Sequence, residues 1–190
     1  PCVSEISPPL DFALLACRLV FLAMEKIHFP AGKAGNVFRG GLGLEVKRIA
    51  CAVECREAKS CPRARECAYA RFFEPVQESG PSGLADPPRP FVLRAAHLGG
   101  RTVEAWSTFW VDLHLFDLSP ASLEFLKRAM GALARAGLGV GRGQAELGQV
   151  KGADDLLRFD LGQARGGIRK IVVEFVTPTE LKEGGELASN

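Results

Sequence analysis

The sequence predicts an α+β domain with the element order β-α-β-β-α-β, and three observations carry that expectation. An early run is apolar on both alternating faces. Two helix-spaced apolar stripes then bracket a pair of strand patterns. A glycine-rich turn leads the second helix into a last extended hairpin. At 190 residues the chain can bury one good core, or one domain and part of another. The net charge of +2 is no electrostatic signature. Local asymmetry says more: residues 39–71 hold Arg39, Lys47, Arg48, Arg56, Lys59, Arg63, Arg65 and Arg71 against few carboxylates, which fits either a polyanion partner or a solvated surface.

The first strand is "LDFALLACRLVFLAM", with Phe12, Leu14, Ala16 and Val20 on one face and Leu15, Cys17, Leu19 and Phe21 on the other. That pattern suits a central strand covered on both sides. The run is too short for a membrane span and carries Arg18, and it lacks the basic start and cleavage site of a signal peptide. The chain opens on Pro1, so it reads as a fragment or a processed form.

A connector, "EKIHFPAGKAGN", precedes the first helix, "VFRGGLGLEVKRIACAV", where Phe38, Leu42, Val46, Ile49 and Val53 recur at helical spacing. Gly40, Gly41 and Gly43 each cost about 1 kcal/mol relative to alanine inside a helix. Two explanations stay open: close packing of helix on sheet, or approach of a ligand to the first turn near Lys33 and Arg39.

Cys51, Cys55, Cys61 and Cys67 follow within one short segment, spaced C-x3-C-x5-C-x5-C. Four thiolates so close suit tetrahedral zinc or an iron–sulfur cluster. Without a secretory signal, a reducing cytoplasmic compartment is expected, which disfavours disulfides; free thiols are the remaining reading. A metal with four protein ligands would staple the segment rather than catalyse. Cys17 reads as core.

"EPVQESGPSGLADPPRP" is an exposed loop by composition. Two strands follow, "FVLRAAHL" and "TVEAWSTFWVDLHLF", the second alternating Phe109, Val111, Leu113 and Leu115 against Trp110, Asp112 and His114. His97 and His114 therefore read as sheet-surface residues. In "SPASLEFLKRAMGALARA", Ser119 is placed to cap a helix and Pro120 suits its first turn, while Leu123, Leu126, Met130 and Leu133 form one stripe.

"GLGVGRG", residues 137–143, then has four glycines in seven positions. Dinucleotide loops run from strand to helix with G-x-G-x-x-G spacing; here the spacing and the order both differ, and no G-K-[ST] follows. No nucleotide cofactor is expected. A glycine C-cap accounts for Gly137 and Gly139; Gly141, Arg142 and Gly143 leave bare backbone beside a guanidinium. A hairpin turn at "VKGADD" and a return strand "LLRFDL" complete a ferredoxin-like unit over residues 1–165, with the cysteine-rich insertion at 51–74 and the exposed loop at 75–90. "IRKIVVEFVTPTEL", within 166–190, reads as the first strand of a second domain cut short.

"FPAGKAGNVFRGGLG", "CPRARECAYARFFEP", "PRPFVLR" and "GLGVGRGQAELGQV", in that order, resemble the N-terminal domain of CRISPR-associated RNA-processing endoribonucleases of the RAMP superfamily, the Cas-six group, and "VVEFVTPTELK" is similar to the start of that group's second domain. The resemblance implies binding of CRISPR repeat RNA and metal-independent cutting, in which a 2′-OH attacks the adjacent phosphorus and leaves a 2′,3′-cyclic phosphate. It implies a catalytic role for His28, phosphate stabilisation by Lys33 and Arg39, backbone contacts from Lys47 and Arg48, and RNA contacts from Gly139, Gly141, Arg142 and Gly143. Other CRISPR effector subunits are implied as partners, and a membrane is not. The group's better-marked glycine-rich loop belongs to the second domain, which this chain does not include. Two other readings stand beside it: a non-catalytic RNA-binding subunit on the same fold, and a metalloprotein working through Cys51, Cys55, Cys61 and Cys67.

Overall fold

The computed structural model describes residues 11–51, 58, 60–75, 88–153, 156–160, 170, 172, 182–183 and 186–187. In chain order the elements are β1 (Asp11–Ala23), β2 (Ile27–His28), α1 (Ala34–Ala50), α2 (Ala68–Phe73), β3 (Phe91–Arg94), β4 (Thr102–Val103), β5 (Thr108–Leu115), α3 (Pro120–Ala136), β6 (Ala145–Lys151), β7 (Leu156–Asp160), β8 (Lys182–Glu183) and β9 (Glu186–Leu187).

The main sheet runs β3-β5-β1-β6, with β7 pairing the first half of β1. Every pairing in it is antiparallel. β1, α1, β3, β5, α3 and β6 thus form the β-α-β-β-α-β unit with β1 and β5 at the centre, and the fold is ferredoxin-like. Both long helices lie on one face. There Cys17, Leu19, Phe21, Phe109, Val111, Leu113 and Leu115 from the strands meet Phe38, Leu42 and Val46 from α1 and Leu126, Met130 and Leu133 from α3. Phe21 stacks on Phe109 with ring centroids 5.2 Å apart, and Phe29 stacks on Phe38 at 5.6 Å. Each such buried side chain contributes about 1.5–3 kcal/mol of burial free energy. Burial also pushes the Cys17 thiol up to about 11; the charge of Lys127 opposes that rise and Asp112 adds to it. Cys17 therefore stays a protonated, unreactive core residue at neutral pH, as the sequence suggests.

The second face of β1 departs from expectation. Among the described residues no helix packs on it: Leu14 is buried there, but Phe12 is 37% exposed and Arg18 is exposed. Its apolar side chains pack within the sheet itself, Phe12 lying 5.5 Å from Phe116 and 5.6 Å from Phe159.

Two glycines of α1, Gly41 and Gly43, serve packing between helices. A Cβ at Gly41 would overlap the side chain of Leu133 on α3, and one at Gly43 would come within 3.2 Å of the Phe73 ring on α2. Gly40 faces open space.

Two strand patterns are shorter than the alternation suggests. "FVLRAAHL" ends as a strand at Arg94 and continues as a 3-10 turn at 96–98. "TVEAWSTFWVDLHLF" breaks at a turn in which Ser107 N–H reaches the Glu104 carbonyl and Trp106 takes φ +66°. β4 leaves the main sheet there and pairs with β2.

Ser119 occupies the N-cap position of α3 but makes no side-chain cap. Asp117 instead braces the turn into the helix: its carboxylate accepts from Ser119 N–H (3.1 Å) and from the hydroxyl of the fully buried Ser122 (2.8 Å). Asp117→Ala should cost about 1–2 kcal/mol in urea unfolding, whereas Ser119→Ala should stay within about 0.5 kcal/mol. A larger loss at Ser119 than at Asp117 would reverse this assignment.

Val53, Cys55, most of the 75–90 loop and nearly all of "IRKIVVEFVTPTEL" lie outside the described residues.

Candidate functional site

His28 sits where β1 ends, α1 begins and β6 starts. Alternation in β2 buries Ile27, turns His28 outward, and is followed by Phe29, itself fully buried. β4 fixes the pairing, Ile27 opposite Val103 and His28 opposite Thr102. His28 Nδ1 lies 3.0 Å from Thr102 Oγ1, so the hydroxyl sets the ring's orientation, and which atom donates follows the tautomer. The other ring nitrogen, Nε2, makes no hydrogen bond among the described residues.

The glycine loop grips the same short strand. Gly137 closes α3 at φ +107°. A Cβ at Gly139 would overlap the His28 carbonyl oxygen, and one at Gly143 would sit 2.5 Å from the Lys26 carbonyl oxygen. The Val140 N–H donates to the His28 carbonyl at 3.2 Å. Three of the four glycines thus answer to backbone contacts within the protein. Gly141 alone faces open space. Arg142, at φ +51°, turns its guanidinium back to the Ala136 carbonyl at 3.2 Å and so meets the negative end of the α3 dipole.

Lys33 begins α1 as its N-cap, with no side-chain cap and no acidic residue in the first turn. A lysine placed at the positive end of a helix dipole leaves that field unneutralised, which favours an anion nearby. The Phe29 N–H, one residue past His28, donates to the Arg101 carbonyl, and this brings exposed Arg101 alongside. Arg39 is exposed on α1, about 9 Å further along the axis than Lys33.

Lys47 and Arg48 lie at the opposite end of α1, about 21 Å from Lys33 along the helix. Lys47 sits over the Tyr69 ring at 5.3 Å, and Arg48 pairs with Glu45 at 2.7 Å. These two are not brought together with His28.

The cysteine segment is next to that far end. Cys51 ends α1 and Cys67 caps α2. Cys51, Cys61 and Cys67 are described and Cys55 is not. Among the described residues no three His, Cys, Asp or Glu side chains gather as metal ligands. Glu74 ties the described part of the segment together, accepting from the Ala58 N–H and the Tyr69 hydroxyl, each at 2.8 Å.

Sequence reading missed Thr102 and Arg101. Their contacts join residues some 74 positions apart through a two-residue strand, which leaves no periodic signal.

The fold and this geometry define a ferredoxin-like domain with an exposed histidine on a glycine-clamped strand. The chain belongs to the AF_1859_N family, an N-terminal domain, whose model matches residues 12–169. No curated protein matches it. Among solved structures it is similar to a chain of the Csm3-Csm4 subcomplex in the type III-A CRISPR-Cas interference complex, at 12% identity and TM-score 0.45, covering 84% of this chain and 86% of that one. It is also similar to a chain of a type IV-B CRISPR complex, at 15% identity and TM-score 0.40, covering 85% and 97%.

Proposed function

We propose that this domain belongs to a CRISPR system, binds repeat RNA, and contributes His28 to a metal-independent cut. The observation that carries the reading is the exposed imidazole of His28, oriented by Thr102 at 3.0 Å and set beside the uncapped, lysine-led start of α1. In this chemistry a base takes the proton from the 2′-OH, O2′ bonds to phosphorus, and the P–O5′ bond breaks. The proton needed by the departing O5′ comes from an acid, leaving a 2′,3′-cyclic phosphate and a free 5′-OH. His28 suits either proton-transfer role. Lys33 and Arg39, with the free N–H groups opening α1, suit the charge that develops on the phosphorane oxygens.

The test is a pair of substrates: repeat RNA, and the same RNA with a 2′-deoxy residue at the cut. Cleavage confined to the all-ribose substrate is expected, without added metal and in the presence of EDTA. Equal cleavage of both would exclude the 2′-OH as nucleophile.

One observation favours a second reading, a non-catalytic RNA-binding subunit. The hydrogen-bond partner of His28 among the described residues is a hydroxyl and not the carboxylate of an acid–base pair. In that case the His28→Ala protein binds repeat RNA as well as the parent, and neither cuts.

A further inference from the structure

The face of the sheet turned away from α1 and α3 carries an arrangement that the site around His28 does not use. Register places Arg94, Asp112, Arg18 and Lys151 side by side in one row across β3, β5, β1 and β6. Asp112 is engaged by Arg18 through two hydrogen bonds, at 2.6 and 3.2 Å. Arg94 and Lys151, both exposed, make no ion pair among the described residues. The row therefore has three cations and one carboxylate; among the described residues Glu146, opposite Leu22, is the other strand acid on this side.

Aromatic groups flank this row. Towards the His28 end stands Trp110, 38% exposed, layered between Arg18, 5.0 Å from its ring centre, and His97, stacked at 4.7 Å. Just before β5, Trp106 is held at φ +66° and is 70% exposed. A bulky residue there costs about 1–2 kcal/mol of backbone strain, and the fold keeps it in water nonetheless. On the other flank lie Phe12 and Phe159, paired across strands and 37% and 44% exposed. Val20, opposite Trp110, and Phe12 are eight residues apart on β1, so the two aromatic flanks are about 26 Å apart.

We infer that this exposed sheet face binds single-stranded RNA that leads away from His28, with phosphates on Arg94 and Lys151 and bases stacked on the outside of the Arg18–Trp110–His97 layer and at the Phe12–Phe159 pair. The inference rests on the RNA-binding reading above and assigns it a surface. Cations in a row with flat aromatic surfaces on either side match the two demands of a single strand: a charged backbone, and bases whose faces are free to stack. The span fits the short end of the roughly 4–16 nucleotides that a small domain's single-stranded groove holds.

The experiment uses non-cleavable 2′-deoxy repeat RNA carrying 4-thiouridine, with the unmodified protein and three variants: Trp110→Ala, Trp110→Phe, and the pair Arg94→Gln with Lys151→Gln. Trp110→Ala should weaken binding about ten-fold or more, and Trp110→Phe should restore most of that loss. The charge pair should lower the slope of log affinity against log salt by about 0.7 for each phosphate contact removed. Photo-crosslinks to the unmodified protein should fall within 11–23, 91–97 and 106–116, a readout that no variant's folding affects. Tight binding with crosslinks confined to 26–33 and 137–143, and unchanged affinity in all variants, overturns this inference while leaving the broader reading intact. If Phe12→Ala then shifts self-association instead, the face is a protein contact. No RNA binding by the unmodified protein removes both.

Discussion

Gly139→Ala should destabilise the domain by about 2–4 kcal/mol, a fall in Tm of roughly 5–15 °C, while Gly141→Ala, two residues on, should change stability by less than about 1 kcal/mol. The two substitutions add the same methyl group to the same loop, so composition cannot separate them. Geometry does. Gly139 has φ +70°, where an L-residue pays about 1–2 kcal/mol, and its new Cβ would overlap the His28 carbonyl oxygen, forcing β2 or the loop to move. The Val140 N–H bond to that same carbonyl would be strained with it. At Gly141 the backbone is ordinary and no atom lies within 4 Å. Thermal melts of the two variants beside the parent decide the matter. Equal losses, or a larger loss at Gly141, would mean that the loop does not clamp β2 as described.

His28→Ala is expected to slow cutting of repeat RNA by about 10²–10⁴-fold, the usual contribution of one positioned acid or base. Affinity for the uncut RNA should change less than about three-fold, because one exposed imidazole adds little to a phosphate-led interface. Thr102→Val separates positioning from folding. It removes the hydroxyl 3.0 Å from His28 Nδ1 while leaving the β2–β4 backbone pairing available. Its turnover should fall by about ten-fold while affinity for the uncut RNA stays within about three-fold, because ring orientation and tautomer are no longer set. Full activity in His28→Ala would remove His28 from the chemistry. Undiminished turnover in Thr102→Val would reduce the threonine to a structural partner.

Local periodicity made the main frame legible. The β1 alternation, the Phe38–Leu42–Val46 stripe and the Leu126–Met130–Leu133 stripe each answer to burial that repeats at a fixed interval, and each reappears in the core. The helix-to-strand order around "GLGVGRG" was equally readable, because a glycine C-cap and an alternating strand are local features. What escaped was non-local or too short to have a period. β2 and β4 have two residues each and exist because they pair with one another. Ser119 makes no side-chain cap, and the carboxylate of Asp117, two residues earlier, braces the turn by reaching both Ser119 and the buried Ser122. For the candidate site, His28 and Lys33 were singled out through the family resemblance, but Thr102, which orients the His28 ring, lies on a two-residue strand 74 positions away. Lys47 and Arg48 look continuous with that group along the chain. Helix geometry carries them some 21 Å off, to the end beside Tyr69.

β1 leaves the ribosome long before its partners do. The residue that ties it to β5 comes 94 positions later, and β6 and β7 follow only after α3. At a synthesis rate of about 5–20 residues per second, a strand apolar on both sides waits on the order of 5–20 s for its first neighbour. The domain should therefore refold slowly from denaturant for its size, since its earliest strand is completed by its latest ones.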